Sequence, residues 1–401
     1  MRLAILADGR SPITRGWLTL LVELGYQVHL LSTFPCEVDL PLSSQHLVPI
    51  AYSGFGKIWS GSRGSAPGGA GAIRLRAGAR RWLGMATFPT AIRRLRAILD
   101  TLNVDLLHAL RIPYEGMLAA EARSAIPLVL SVWGNDFTLH ARSTPWMGWL
   151  TRRAVSRANG LHADCHRDVT LSRDWGLKAN RPTAVLPGGG GIDRSIFHTG
   201  RTDPDLLGPE LRGRMDALPS DAPMVINPRG FRAYVRNDTF FQSIPAILDA
   251  FSDATFFAPA MQDEVQANRW LTRLGVGDSV TLLPKLEPIE MAALYQRSQV
   301  AVSPSEHDGT PNTFLEAIAC GCFPVVGDIE SLREWVQDGS NGKLIDPGNP
   351  EALANAVITA LRDPRLRERA SKHNQALIDE RAERSRVGLA LDHFYREVIA
   401  Q

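Results

Sequence analysis

The chain has 401 residues, a length that a single hydrophobic core seldom organises, so two domains are the first expectation. An apolar fraction of 44% and a charged fraction of 21% are ordinary for a soluble globular protein, and no apolar run approaches the roughly 20 residues that cross a bilayer. The net charge of +2 hides an imbalance: residues 1–190 hold 22 Lys and Arg against 12 Asp and Glu, the remainder 22 against 30, so the two halves face different partners.

Residues 1–8 are too short a stretch for a signal peptide and suit a first buried strand, which gives a cytoplasmic protein as the expectation. Short apolar runs then alternate with amphipathic stretches, at 3–7, 28–31, 106–109, 128–132, 160–163 and 184–186. The second half repeats the scheme at 225–227, 254–258, 280–283, 300–302 and 324–326. Buried runs this short between helical patterns indicate β-α units and parallel sheets, hence an α/β chain of two Rossmann-like halves, 1–190 and 191–375. Between them, Pro187-Gly-Gly-Gly-Gly-Ile-Asp193 reads as a hinge, because four glycines absorb large dihedral changes; a plain tight turn is the competing reading. The Gly/Ser-rich stretch 53–72 reads as a mobile loop. Residues 376–401 read as one closing helix with Leu377, Ile378, Val387, Leu389, Leu391, Phe394 and Val398 on its apolar side. Cys36, Cys165, Cys320 and Cys322 are scattered, with no paired C-x-x-C spacing, and read as small buried side chains.

One stretch stands out. Ser303-Pro-Ser-Glu-His-Asp308-Gly-Thr-Pro-Asn-Thr-Phe-Leu-Glu316-Ala-Ile-Ala-Cys-Gly-Cys-Phe-Pro-Val-Val326 reads as strand end, Gly/Pro loop, helix start and next strand. Such a loop presents free backbone N–H groups and the helix start adds the positive end of a dipole, which makes a socket for phosphate. Asp308 and Glu316 beside that socket suit a ligand with hydroxyls as well as phosphates, and a nucleotide-sugar is such a ligand. An acid in the opening turns of a helix is common on its own; the constellation is what favours the functional reading.

The segment resembles the acidic-x7-Glu signature of retaining glycosyltransferases of the GT-B fold, family GT4, with Asp308 where Glu is commoner. The likeness runs on through Gly321, Pro324, Glu334, Gly339, Gly342, Pro347 and Glu351-Ala352-Leu353. It implies two Rossmann-like domains facing a cleft, a final helix that crosses back onto the first domain, and Gly-Ile-Asp193 with Phe197 at the crossover. Gly309, Thr310, Pro311, Asn312 and Thr313 would meet phosphate and sugar, Asp308 the sugar hydroxyls and Glu316 the ribose diol. Arg229 and Arg236, with Arg232 as substitute, resemble the family's Arg-x5-Lys pair, one residue long, and guanidinium forks match phosphate oxygens. Lys285 and Leu286 lie where relatives hold the base. In the first half, Gly16 resembles a loop glycine that approaches the donor phosphate, and Thr14 and Arg15 would lie on the acceptor side. His108-Ala-Leu110-Arg111 resembles a His-x-His element whose second histidine is Leu110 here, so His108 or Arg111 would act near the transferred sugar. Asp136, after Trp133-Gly-Asn, would orient a hydroxyl or cap a turn.

The donor would be UDP- or GDP-linked, the acceptor a glycan or lipid-linked hydroxyl. No cofactor or metal is implied: there is no D-x-D after a strand, and His140, His162 and His166 are loosely spaced. Residues 40–99 contain no acid, while Lys57, Arg63, Arg74, Arg76, Arg80, Arg81, Arg93, Arg94 and Arg96 accumulate among Trp59, Trp82 and Phe88. A second patch holds Arg142, Trp146, Met147, Trp149, Arg152, Arg153 and Arg157. Basic and aromatic side chains on helices favour an anionic membrane surface, through 57–96 and 142–157, or are simply a solvated basic face. Nucleic acid is not expected, since no recognition motif accompanies the charge. Rival readings are a GT-B epimerase of UDP-N-acetylglucosamine and a non-catalytic nucleotide-sugar binder.

Overall fold

A computed structural model describes residues 1–50, 87–218 and 222–401. The stretch 53–72 and the side chains of Lys57, Trp59, Arg63, Arg74, Arg76, Arg80, Arg81 and Trp82 lie outside the described residues. The chain divides into two compact units, residues 1–190 with 387–401, and residues 191–386.

In the first unit, seven strands make one parallel sheet in the order β3-β2-β1-β4-β5-β6-β7: β1 (Arg2–Ala7), β2 (Gln27–Ser32), β3 (Ser44–Leu47), β4 (Leu106–Ala109), β5 (Leu128–Val132), β6 (Gly160–Ala163) and β7 (Thr183–Val185). Helices bury both faces, so the central strands are apolar throughout, with Leu3, Ala4, Ile5 and Leu6 fully buried. The second unit repeats the plan with six parallel strands, β8 (Met224–Ile226), β9 (Thr255–Ala258), β10 (Val280–Leu282), β11 (Val300–Ser303), β12 (Phe323–Gly327) and β13 (Lys343–Ile345), ordered β10-β9-β8-β11-β12-β13. In each sheet the chain order reverses at one place, between β1 and β4 and between β8 and β11. Ligands of such sheets bind outside the carboxyl ends of the strands at that reversal.

The single closing helix expected over 376–401 is two helices, Pro364–Arg381 and Arg384–Ile399. Ile192 separates them: its N–H donates to Ala382 O (2.7 Å) and its carbonyl accepts from Arg384 N (3.1 Å), a strand-like bridge that a continuous helix forbids. Glu383 then caps the second helix through the N–H groups of Ser385 (3.0 Å) and Arg386 (3.1 Å). The first of these helices stays with the second unit, and Val387, Leu391, Phe394, Tyr395 and Val398 of the other pack into the core of the first. Leu389, expected on the apolar side, is 72% exposed. Gly160 marks the approach of that helix: a Cβ there would lie 2.5 Å from Val398.

Candidate active site

In the second unit, two loops at the carboxyl ends of β8 and β11 are laced together. Arg236 N donates to Pro304 O (3.0 Å) and Glu306 N to Tyr234 O (3.0 Å), while buried Asn227 accepts from Arg229 N (3.2 Å) and donates to Asn237 (3.1 Å). The lacing delivers Arg229 to Asp308: the guanidinium donates to that carboxylate and, 3.0 Å away, to Thr313 Oγ1. Ser331 fixes the carbonyl of Asp308 (2.9 Å) and Trp335 Nε1 the hydroxyl of Thr310 (2.9 Å), so the turn through Gly309 is held from behind. The helix Asn312–Ala319 follows with Pro311 at its N-cap and no side-chain cap, which leaves its first N–H groups for an anion.

Glu316 lies in the second turn of that helix and keeps part of its surface open. Burial pushes its pKa up to about 7, against the lowering effects of the Tyr295 hydroxyl, 3.5 Å from Oε2, and of the Arg229 charge. Arg236 is spoken for: Asp238 (2.8 and 2.9 Å) and Glu306 (2.7 Å) hold its guanidinium and make it more basic still. Arg232 is exposed and donates to the Tyr234 hydroxyl (2.9 Å). Lys285 is exposed, and Leu286 packs against the core beneath β10.

The first unit treats its expected residues differently. Gly16 lies inside the helix Pro12–Glu23 rather than in a loop, and a Cβ there would stand 2.4 Å from Gly189 O, so its missing side chain admits the glycine run of its own unit. Thr14 is fully buried; Arg15 is exposed and donates to the carbonyls of Gly9 and Glu37 (3.3 Å each). His108 is fully buried, with Nδ1 2.6 Å from the Tyr395 hydroxyl and Nε2 2.8 Å from Ser131 Oγ. Ser131 in turn meets His162 Nδ1 (2.7 Å), and His162 Nε2 donates to Leu186 O (2.9 Å). A carbonyl can only accept, so the chain has one direction: Trp17 N–H to Tyr395, Tyr395 to His108, His108 to Ser131, Ser131 to His162, His162 to Leu186. Burial holds His162 down to about 4 and His108 well below its ordinary range, so both rings are neutral. Both ring nitrogens of His108 are thus engaged by protein groups within the core. Asp136 is likewise fully buried, accepting from Ile112 N and Trp133 N (3.2 Å each) and pairing with Arg111 (3.2 Å). Its role here is to aim Arg111, whose guanidinium also meets His140 Nε2 (2.9 Å) and remains partly exposed.

Comparison with known proteins decides the family. The family profile described as glycosyl transferases group 1 matches residues 260–376, and the glycosyl transferase 4-like domain matches residues 9–189. The chain belongs to the GT4-type glycosyltransferases of the GT-B fold. It is 29% identical over 308 residues to a D-inositol 3-phosphate glycosyltransferase of Thermomonospora curvata, covering 71% of this chain and 70% of that one. A phosphatidyl-myo-inositol mannosyltransferase of Mycobacterium leprae is 28% identical over 130 residues, 32% and 34% of the two chains. Among solved structures, the sucrose-phosphate synthase of Thermosynechococcus elongatus has the same fold at TM-score 0.75 and 16% identity, covering 100% and 99%. Anabaena HepE in complex with UDP-glucose has it at 0.70 and 16%, covering 99% and 100%.

In this glycosyltransferase, then, Arg229, Asp308, Gly309, Thr310, Pro311, Asn312, Thr313 and Glu316 come together at one strand reversal, and Arg236 stands at its edge among acids. Sequence reasoning missed Tyr295 and Trp335. A tyrosine on the buried face of an otherwise apolar helix needs a hydroxyl partner, and that was the available signal for Tyr295. It also missed Asp164, Cys165 and Asp168, whose ligand atoms lie within 4.8 Å of one another, a clustered set where none was expected. Arg167 donates to Asp168 (2.9 Å) and so already supplies the positive charge a cation would bring. Among the described residues no helix is long and apolar enough to cross a membrane.

Proposed function

We propose that the enzyme moves a sugar from a nucleoside-diphosphate sugar to a hydroxyl of a glycan or lipid-linked acceptor, with retention as the family resemblance implies. The observation that carries this is the convergence, in one unit, of a buried arginine, an uncapped helix start and two carboxylates eight residues apart. The arginine and the helix N–H groups meet the diphosphate as its charge grows, so protein donors rather than a metal stabilise the leaving group. Asp308 accepts from sugar hydroxyls and Glu316 from the ribose diol. Structural relatives carrying UDP or UDP-glucose support a nucleotide donor.

The second unit binds the donor and the first the acceptor in this reading. Relatives named for D-inositol 3-phosphate and phosphatidyl-myo-inositol support a phosphate-bearing polyol or glycolipid, consistent with the basic first half. Exposed Trp146 and Trp149, stacked at 4.8 Å, support reversible attachment of the first unit to the inner face of an anionic membrane. Incubating the protein with UDP-, GDP- and ADP-sugars and polyol or glycolipid acceptors tests the transfer. Nucleoside diphosphate must appear when an acceptor is added and persist in EDTA; tight donor binding without turnover on any acceptor would favour the non-catalytic binder.

A further inference from the structure

We infer that Tyr295 is a positioning residue for the donor, its buried hydroxyl holding the Glu316 carboxylate in the orientation that receives the ribose. The inference rests on the donor reading of the Glu316 site. Tyr295 belongs to the helix Pro288–Arg297 and is fully buried, its ring 6.5 Å from that of Phe197. Its backbone is pinned as well, the carbonyl accepting from Ser298 N (3.0 Å) and from the Cys322 thiol (3.1 Å). A side chain fixed at both ends has little rotamer freedom, so its hydroxyl marks one point in space, 3.5 Å from Glu316 Oε2.

The groups facing Glu316 are few. Tyr295 approaches from the helix before β11, Arg229 from the loop after β8, and Cys320 from the end of Glu316's own helix. Burial pushes the thiols of Cys320 and Cys322 upward, so both are neutral, and it raises the Tyr295 hydroxyl as well, so that group donates and does not ionise. An ionised carboxylate accepts from the two hydroxyls of a diol with an oxygen for each, far better than the protonated acid, one of whose oxygens carries the proton. Burial works against that ionisation at Glu316, and the Tyr295 hydroxyl is the first of the two groups that restore it. Tyr295 therefore sets both where the carboxylate points and the pH at which it can bind.

The experiment measures binding of UDP-glucose, GDP-mannose and ADP-glucose from pH 5.5 to 9 by calorimetry, for wild type, Tyr295→Phe and Glu316→Gln. Diphosphate diesters do not titrate in this range, and the uracil and guanine ring protons begin to leave only at its upper end and alike for all three proteins, so differences between the profiles report the protein. Wild type is expected to gain affinity for its preferred donor as pH rises through about 7. Tyr295→Phe is expected to move that midpoint upward, with binding roughly three- to tenfold weaker at pH 7, about the effect of one hydrogen bond, and with a smaller loss that persists at pH 9, where the carboxylate is ionised but no longer oriented. Glu316→Gln is expected to be weak and flat. Superposed profiles for wild type and Tyr295→Phe, in a folded variant, would overturn the role of Tyr295 and leave the donor reading standing. Wild type that binds none of the three sugars would overturn the donor reading and this inference with it.

Discussion

Arg229 and Asp308 hold each other across the two loops of the second unit, with Thr313 on the same guanidinium. In the proposed reading, the side chain that would meet a diphosphate and the one that would meet a sugar hydroxyl thus begin as each other's partner. On that reading an incoming diphosphate would compete with Asp308 for the fork, and the carboxylate so displaced would accept from the sugar. Asp308→Asn removes the charge that competes for the fork and leaves only a weaker, neutral acceptor for the sugar. Turnover is expected to fall about 100-fold, as when a group acting on the transition state is lost, while donor affinity holds or improves. Steady-state kinetics beside calorimetry separate the two effects; equal losses in both would refute the division of roles.

Arg229→Ala leaves Asp308 enclosed without its counter-charge, for which a cost of about 3 kcal/mol is typical. Donor binding is expected to fall in the same variant. Adding Asp308→Asn should restore most of the stability and none of the binding, because the neutral amide no longer needs a cation whereas the diphosphate still does. Urea denaturation of the single and double variants checks the first half and donor titration the second.

Much of the fold was legible because parallel strands buried on both faces read as unbroken apolar runs, as at 3–7 and 128–132. β3, Ser-Gln-His-Leu at a sheet edge, and the three-residue β13 lack that signature and went unread. The loop and helix from Asp308 to Glu316 were legible because their backbone course is set locally, by Gly309 and by Pro311 at the helix N-cap, although the side chains that hold them come from Arg229, Ser331 and Trp335. The packing partners of His108 and Gly16 were not legible because they are distant in sequence: Tyr395 lies 287 residues from His108, and Gly16 meets Gly189. No period or spacing in either segment encodes those contacts.

The buried chain through His108 and His162 ties stability to pH. A histidine whose folded pKa is depressed binds protons in the unfolded state first, so its stabilisation is present above the unfolded value and lost as pH falls toward the folded one. For His162, about 4 in place of the ordinary 6.5, the loss between those pH values is about 3 kcal/mol. Protonation would also turn an acceptor of the one-way chain into a donor. Denaturation at pH 7 and pH 4.5 should show the loss, with a shallower pH dependence in His162→Asn. A slope unchanged by that substitution would dissociate the two.

Charge alone does not decide whether the first unit would attach to a membrane. Arg153 and Arg157 of the helix Pro145–Arg157 both converge on Glu121 (2.7 Å each), and Arg152 lies over the Trp175 ring at 5.4 Å. Beside exposed Arg152 and Ser156 that helix leaves two aromatic rings outward: Trp146 and Trp149 are 49% and 46% exposed, and Leu139, ahead of the helix, is 41% exposed. Tryptophan suits the headgroup boundary, whereas cations act at longer range at roughly 1 kcal/mol each near the surface. Trp146→Ser with Trp149→Ser is therefore expected to abolish most sedimentation with phosphatidylglycerol vesicles at any salt, while Arg142→Ala weakens it chiefly at low salt. Arg153→Ala should matter less than Arg142→Ala, since its charge is already met by Glu121. Wild-type protein that stays in the supernatant with these vesicles at low salt would rule the attachment out.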